Sequence, residues 1–137
     1  IVTDTKMAAA GINKKTLAKY SGQVLCYMDD EAITSEARER NITRASLCMD
    51  KAAGDNANKI FAVGNAPTAL IRLCELIDAG MASPELVIGV PVGFVNVIES
   101  KALLKRMNIP YIISEGRKGG SNVAAAIVNA MLYMLGR

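Results

Sequence analysis

Three loops in this sequence have residue types that bind anions, and each lies between an apolar run and a predicted helix. The loops cover residues 64–70, 91–94 and 116–121. Because a helix N-terminus carries unpaired N–H groups and partial positive charge, it readily binds carboxylates and phosphates. Arg117 and Lys118 add full positive charge to the third loop. The three loops therefore predict an anion-binding edge, although glycine and serine at such positions also serve ordinary turns.

A fourth basic element lies nearer the start of the chain, where Thr43 precedes Arg44. Thr43 is a suitable N-cap, so Arg44 would lie in the first turn of a helix, where the dipole disfavours a cation. One interpretation makes Arg44 a clamp for a carboxylate or phosphate, because a guanidinium binds such groups through two parallel hydrogen bonds. The alternative is an ordinary solvated arginine at a helix end.

The cluster of Glu99, Ser100 and Lys101 has a catalytic and a structural interpretation. Lys101 could act as a Schiff-base nucleophile if burial lowered the pKa of its amine, which the sequence does not show. Ser100 cannot belong to a Ser-His hydrolase within this chain, because the chain contains no histidine. The charged start of a helix accounts for the same residues, since the dipole favours Glu99 there.

The composition argues against several classes of site and partner. The cysteines at positions 26, 48 and 74 lack metal-binding spacing and are interpreted as reduced thiols of a cytoplasmic protein. Residues 29–31 are acidic and could hold a metal, but an acidic helix start explains them better. The net charge of +3 is small and scattered, so a nucleic-acid partner is not expected. No apolar run reaches the roughly 18 residues that a membrane span needs.

The apolar runs and turn signals predict a single α/β domain over residues 1–137. From residue 59 onward, strands and helices alternate with short connections, which is typical of a mainly parallel sheet with helices on both faces, a three-layer arrangement. The carboxyl ends of parallel strands share one edge, so the three loops should meet there. The predicted strands are 1–3, 23–28, 59–63, 86–90 and 111–114, and the predicted helices are 6–10, 13–20, 30–39, 44–53, a stretch ending at 78, 95–107 and 122–135.

The last predicted helix, residues 122–135, is apolar nearly all round. A helix without a polar face is expected to be buried on most of its sides. Two arrangements would achieve this, namely burial within one monomer or packing against a second subunit.

Three motifs, in order and at characteristic separations, carry a resemblance that extends across essentially the whole chain. They are Gly64-Asn-Ala-Pro-Thr-Ala-Leu70, Pro91-Val-Gly-Phe-Val95 with Glu99-Ser-Lys101, and Gly116-Arg117 with Gly119-Gly120-Ser121, and Asp4, Met7, Gly11, Thr43 and Arg44 also fall at matching places. The sequence thereby resembles the precorrin-8X methylmutases, also called precorrin isomerases or cobalt-precorrin-8 methylmutases. Such an ordered set is far more specific than one glycine-rich loop.

The resemblance implies a homodimeric α/β isomerase of cobalamin (vitamin B12) biosynthesis. Its reaction would move a methyl group from C-11 to C-12 of a corrinoid macrocycle, giving hydrogenobyrinate or, on the anaerobic route, cobyrinate. No redox cofactor and no enzyme-bound metal are implied, because any cobalt would come with the substrate. The residues assigned to substrate binding are Met7, Thr43, Arg44, Asn65, Thr68, Gly93, Phe94, Ser100, Lys101, Arg117, Gly119, Gly120 and Ser121.

The same resemblance assigns proton donation to a histidine in an N-terminal region, upstream of the strand that starts at Ile1. This chain contains no histidine, so we assign no catalytic residue. Either the sequence is part of a longer chain, which its start within a predicted strand favours, or it is a reduced member that has lost acid catalysis. A non-catalytic protein that holds a tetrapyrrole is the alternative from another class. A nucleotide- or phosphate-binding domain is a third interpretation, but the Gly-rich loops match no nucleotide fingerprint.

Overall fold

The computed structural model describes residues 1–136 and is built on one parallel sheet. Its strands are, in spatial order, β1 (Val2–Thr3), β2 (Ile60–Val63), β3 (Leu86–Gly89) and β4 (Tyr111–Ile113). Each strand pairs in parallel with the next one along the chain. The α/β fold with a parallel sheet, which the alternation of strand and helix predicts, is confirmed.

Helices cover both faces of the sheet. The four helices α3 to α6 pack on one face, whereas α1, α2 and α7 pack on the other. In the described part of the chain the helices are α1 (Lys6–Gly11), α2 (Lys14–Ala18), α3 (Glu31–Arg40), α4 (Arg44–Ala53), α5 (Pro67–Asp78), α6 (Val97–Lys105) and α7 (Ser121–Leu135).

The side chains of β2 show how the sheet separates two apolar cores. Phe61 and Val63 belong to the core beneath α4 and α5, where they join Leu70. Ala62 belongs to the opposite core, with Ala124 of α7. Successive side chains of a strand point to opposite faces, so a strand covered on both sides needs a continuous apolar run. This explains why residues 60–63 show no alternation of polar and apolar types.

Residues 23–28, predicted as a strand, do not form one in the structure. Leu25 makes a single parallel bridge with Val2. In that bridge the N–H of Leu25 donates to the carbonyl of Ile1 at 2.8 Å, and the N–H of Thr3 donates to the carbonyl of Leu25 at 3.0 Å. Leu25 is thus the one residue of 23–28 that pairs with β1, and the prediction of a full strand is wrong.

Helix α6 begins at Val97, two residues later than predicted. Asn96 precedes it in the left-handed conformation, with φ of 62° and ψ of 11°. Asparagine tolerates this conformation better than most residues, and it turns the chain sharply into the helix. Phe94 and Val95 therefore belong to the loop after β3 and not to the helix.

Helix α7 is buried along one side, which includes Ala124, Val128 and Leu132. Its last turn is open to solvent, since Met134 and Leu135 are 67% and 64% exposed. Among residues 1–136, burial on most sides, as expected for so apolar a helix, is therefore not achieved. None of the helices in residues 1–136 is long and apolar enough to cross a membrane.

Candidate functional site

The three loops predicted to share an edge meet at the carboxyl ends of β2, β3 and β4. Backbone hydrogen bonds tie them together: the N–H of Val90 donates to the carbonyl of Val63 at 2.8 Å, and the N–H of Gly120 donates to that of Val90 at 2.9 Å. The N–H of Val92 also donates to the carbonyl of Asn65, at 3.4 Å. The loops therefore form one connected edge.

Two glycines allow these loops to touch. A Cβ on Gly64 would lie 2.7 Å from the carbonyl oxygen of Gly120 and 2.7 Å from the Cα of Ser121. A Cβ on Gly119 would overlap the carbonyl oxygen of Val90. Real Cβ atoms do not come so close to backbone atoms, so both positions need glycine for steric reasons.

Asp4 occupies the anion site that the first loop was expected to offer to a ligand. One carboxylate oxygen of Asp4 accepts a hydrogen bond from the N–H of Gly64 at 2.9 Å. The other accepts from Asn65 at 3.0 Å and from Ala66 at 2.7 Å. Asp4 is 1% exposed. The N–H groups of this loop therefore bind a carboxylate of the protein itself, whereas the prediction was that they bind a ligand.

Burial raises the pKa of Asp4 above its usual value, while the three N–H donors oppose the shift. An aspartate just before a helix is also a typical N-cap, so local sequence does not distinguish that role from a contact with a distant loop. Thr5 is the residue that caps α1, by accepting from the N–H of Ala8 at 3.1 Å. An acidic residue directly after a buried strand was the signal available in the sequence.

Ser121 lies at the same edge, as the buried first residue of α7. Its Oγ lies 2.7 Å from the Oγ1 of Thr5, which joins the start of α7 to the start of α1. Ser121 is buried at 9% exposure. The hydroxyl of Ser121 thus contacts the protein itself, whereas Arg117 is exposed.

Ser100 and Lys101 are buried inside α6, with 0% and 2% exposure. The hydroxyl of Ser100 donates to the carbonyl of Val97 at 2.7 Å. The ammonium of Lys101 donates to backbone carbonyls of the loop after β4, and burial lowers its pKa below the usual value. Both residues lie at the predicted edge, but neither side chain reaches its surface.

Thr43, Ser46 and Thr68 join the N-termini of α4 and α5. Thr43 caps α4 by accepting from the N–H of Ser46 at 3.1 Å, and its hydroxyl donates to that of Thr68 at 3.3 Å. Arg44 is exposed next to this contact, and its guanidinium donates to the carbonyl of Met28 at 3.5 Å. The structure thus brings together three of the predicted site residues, Thr43, Arg44 and Thr68.

Large apolar side chains are exposed on the segments that follow β1 and β3. Phe94 is 90% exposed, Val95 is 74% exposed and Met7 is 71% exposed. Gly93, with φ of 127°, supplies a backbone conformation that other residues resist and turns the chain before Phe94. Asn65 is exposed in the adjacent loop. Neighbouring exposed apolar side chains, such as those of Phe94 and Val95, are typical of surfaces that bind a ligand or a partner.

The acidic residues 29–31 start α3, as predicted. Asp30 caps the helix by accepting from the N–H of Ala32 at 2.9 Å and forms an ion pair with Lys51. Asp29 pairs with Lys6. Within residues 1–136, no group of three or more cysteine, aspartate or glutamate side chains is arranged to hold a metal ion.

The sequence matches a family model for precorrin-8X methylmutase over residues 1–134. It is 49% identical over 136 residues to a cobalt-precorrin-8 methylmutase of Salmonella typhimurium, covering 98% of this chain and 63% of that protein. It is 46% identical over 131 residues to a cobalt-precorrin-8 methylmutase of Priestia megaterium, covering 96% of this chain and 58% of that protein. The chain thus spans about three fifths of the length of these relatives.

The fold is also similar to solved structures. It matches a precorrin-8X methylmutase from Thermus thermophilus with a TM-score of 0.87 and 35% identity, over 98% of this chain and 66% of that one. It matches a precorrin-8X methylmutase related protein with a TM-score of 0.86 and 33% identity, over 97% of this chain and 70% of that one. Family model, relatives and fold agree with the resemblance read from the three motifs, and the chain belongs to the precorrin-8X methylmutase family.

Proposed function

We propose that this chain provides the substrate-binding edge of an isomerase of cobalamin biosynthesis, which moves a methyl group from C-11 to C-12 of precorrin-8X or cobalt-precorrin-8. The product is then hydrogenobyrinate or cobyrinate. The observation that carries the proposal is the composition of the carboxyl edge of the sheet. That edge combines exposed cations, Arg44 and Arg117, with the exposed aromatic side chain of Phe94.

A corrinoid macrocycle has two chemical parts, and this edge offers a partner for each. The ring system is a broad apolar plate, which suits Phe94 and Met7. The ring carries acetate and propionate groups, whose carboxylates suit the guanidinium groups of Arg44 and Arg117. Family membership favours an isomerase over a non-catalytic tetrapyrrole-binding protein.

The proposed reaction breaks the bond between the methyl group and C-11 and forms one to C-12 of the same molecule. Because it is an intramolecular rearrangement, it needs no second substrate. The protein must hold the macrocycle in one orientation and assist the movement of a proton. We assign the first task to the residues of the carboxyl edge and assign no residue of this chain to the second.

We further propose that the protein acts as a homodimer in the cytoplasm. The exposed last turn of α7, with Met134 and Leu135, supports a contact between copies of the chain. The free state of all three cysteines supports a reducing compartment. Analytical ultracentrifugation tests the first proposal, and a sedimenting mass equal to one chain at micromolar concentration would contradict it. Subcellular fractionation tests the second.

Binding to the proposed ligand is tested by titrating the protein with hydrogenobyrinate and following the visible absorbance of the corrinoid. Replacing Arg44 with Ala should weaken binding about tenfold, because one charge-assisted contact to a carboxylate is lost. Arg106→Ala is the matched control, since Arg106 is exposed at the C-terminal end of α6, away from the carboxyl edge of the sheet. No absorbance change with the unmodified protein would refute the proposed ligand, and equal effects of both substitutions would refute the role of Arg44.

A further inference from the structure

The ammonium group of Lys101 is surrounded by oxygens of a single loop. It donates to the carbonyl of Ser114 at 2.6 Å, to that of Gly116 at 2.8 Å and to that of Lys118 at 3.0 Å. The hydroxyl of Ser114 lies 3.3 Å away as a fourth acceptor. All four oxygens come from residues 114–118, which connect β4 to α7.

This arrangement is unusual for a buried cation. A buried ammonium is normally paired with a carboxylate, because removing a charge from water is costly. Here every hydrogen-bond acceptor is neutral, and the nearby Glu115 forms its ion pair with Lys105 instead. Because the ammonium of Lys101 is bound only by oxygens of residues 114–118, it stabilises the loop conformation in which these oxygens all point towards it.

The same contacts determine what the loop presents to solvent. Three carbonyl oxygens that point at Lys101 are removed from the outer surface, where they would repel an anion. Arg117 and Lys118 remain exposed on that surface. The loop is held at a second point, since the N–H of Gly120 donates to the carbonyl of Val90 at 2.9 Å. The outer surface therefore keeps the cations Arg117 and Lys118, while three carbonyl oxygens of the loop turn inward and the exposed carboxylate of Glu115 is paired with Lys105.

We propose that Lys101 is a positioning residue, which holds the loop of residues 114–118 in the shape that lets Arg117 bind a ligand carboxylate. The inference deepens the proposed function and rests on it for the identity of the ligand. Lys101 acts here through the loop, without touching the ligand, because its own side chain is closed off from solvent.

The test combines a readout of loop shape with a readout of binding. Trypsin cleaves after arginine and lysine, so cleavage after Arg117 and Lys118, followed by mass spectrometry, reports directly on the order of this loop. Visible titration with hydrogenobyrinate reports on the ligand. The variants are Lys101→Ala, which leaves space for a small amine, and Lys101→Met, which keeps the side-chain length and serves if Lys101→Ala does not fold. Lys105→Ala is the control, because Lys105 lies on the same helix and contacts the same loop through Glu115.

We expect Lys101→Ala to be cleaved at least about tenfold faster at these two sites and to bind hydrogenobyrinate about tenfold more weakly, whereas Lys105→Ala changes little. Added n-propylammonium should restore both properties of Lys101→Ala by replacing the missing cation, and the uncharged n-propanol should not. Restoration by both compounds would assign the loss to packing and overturn the role of the charge.

The two proposals can fail separately. Unchanged cleavage in Lys101→Ala or Lys101→Met would overturn the inference, as would faster cleavage with unchanged affinity. Absence of hydrogenobyrinate binding by the unmodified protein would refute the proposed ligand and, with it, the carboxylate that Arg117 is said to bind. In that case cleavage and rescue by n-propylammonium still decide whether Lys101 shapes the loop.

Discussion

The carboxylate of Asp4 accepts a hydrogen bond from the N–H of Ala66 at 2.7 Å, across 62 positions of sequence. Ala66 is the N-cap residue of α5 and has no side-chain group that could cap the helix. The end of β1 thus caps a helix that follows β2. Since Gly64 and Asn65 donate to the same carboxylate, Asp4 holds the whole β2–α5 loop in place.

Replacing Asp4 with Ala should lower the free energy of unfolding by about 3 kcal/mol, because three N–H groups, one of them buried, lose their acceptor. Urea denaturation followed by circular dichroism measures the change. Asp78→Ala is the control at the other end of α5, where the carboxylate is exposed, and should change stability by less than about 0.5 kcal/mol. Equal losses in the two variants would contradict the capping role of Asp4.

The contribution of Asp4 should also depend on pH. Burial raises its pKa above the usual 3.8 in the folded protein, so the folded state holds this proton more tightly than the unfolded state. The stabilisation linked to that proton is fully present below pH 3.8 and is lost as the pH rises through the folded-state pKa. The advantage of the unmodified protein over Asp4→Asn should therefore be larger near pH 4 than near pH 7.

Urea denaturation of both proteins between these two pH values tests this sign. Asp4→Asn has no titrating group at the position, so the difference between the proteins isolates the carboxylate. An advantage that grows toward neutral pH would mean that the three N–H donors outweigh burial and lower the pKa of Asp4.

Gly119→Ala should destabilise the protein by about 3 kcal/mol, because the new methyl group would overlap the backbone of Val90 at the centre of the edge. Gly136→Ala provides a comparison, since its nearest contact would be an ordinary 3.7 Å. Thermal unfolding measures both variants. If the melting temperature of Gly119→Ala lay within about 1 °C of that of the unmodified protein, the loops could move apart with little loss of unfolding free energy.

Phe94→Ala should weaken hydrogenobyrinate binding about tenfold without changing stability, because a 90% exposed ring contributes little to the fold and much to an apolar ligand. Met81→Ala removes another exposed apolar side chain, which lies after α5 and before β3 at the opposite edge of the sheet. Absorbance titration compares the two. Similar affinities for both variants would remove Phe94 from the proposed site.

The three cysteines should differ in their reaction with thiol reagents. Burial raises the pKa of Cys48 to about 11 and that of Cys74 to about 12, and both residues are 1% exposed. Cys26 is half-buried. Because the thiolate is the reactive form, a disulfide reagent such as DTNB should modify one thiol rapidly in the folded protein and three in guanidinium. Rapid reaction of all three in the folded protein would contradict the buried positions.

The sequence predicts most of the fold because strands buried on both sides leave a strong signal. Residues 60–63 and 86–89 belong to short apolar runs that end before Gly64 and Pro91, and the structure places both in the sheet. Residues 23–28 carry a similar apolar pattern but face a partner strand of two residues. Whether such a run pairs over its whole length depends on its partner strand, and local sequence does not reveal that partner.

The candidate site was predictable in location but not in detail. The order of strands and loops determines that residues 64–70 and 116–121 meet at one edge. Which backbone groups stay free for a ligand depends on long-range contacts, and these depend on the placement of Asp4 and Lys101. Asp4 already occupies the N–H groups of the loop after β2. Lys101 instead binds carbonyl oxygens of the loop after β4 and leaves Arg117 exposed.

The four strands lie in the sheet in the same order as in the chain. In doubly wound sheets, a reversal of strand order sends neighbouring connections to opposite faces and opens a narrow crevice between them. No such reversal occurs between β1 and β4, so the carboxyl edge of this sheet is a continuous ledge. A surface of this shape can contact a wide, flat molecule through several loops at once, whereas a crevice would bind only one end of an elongated molecule.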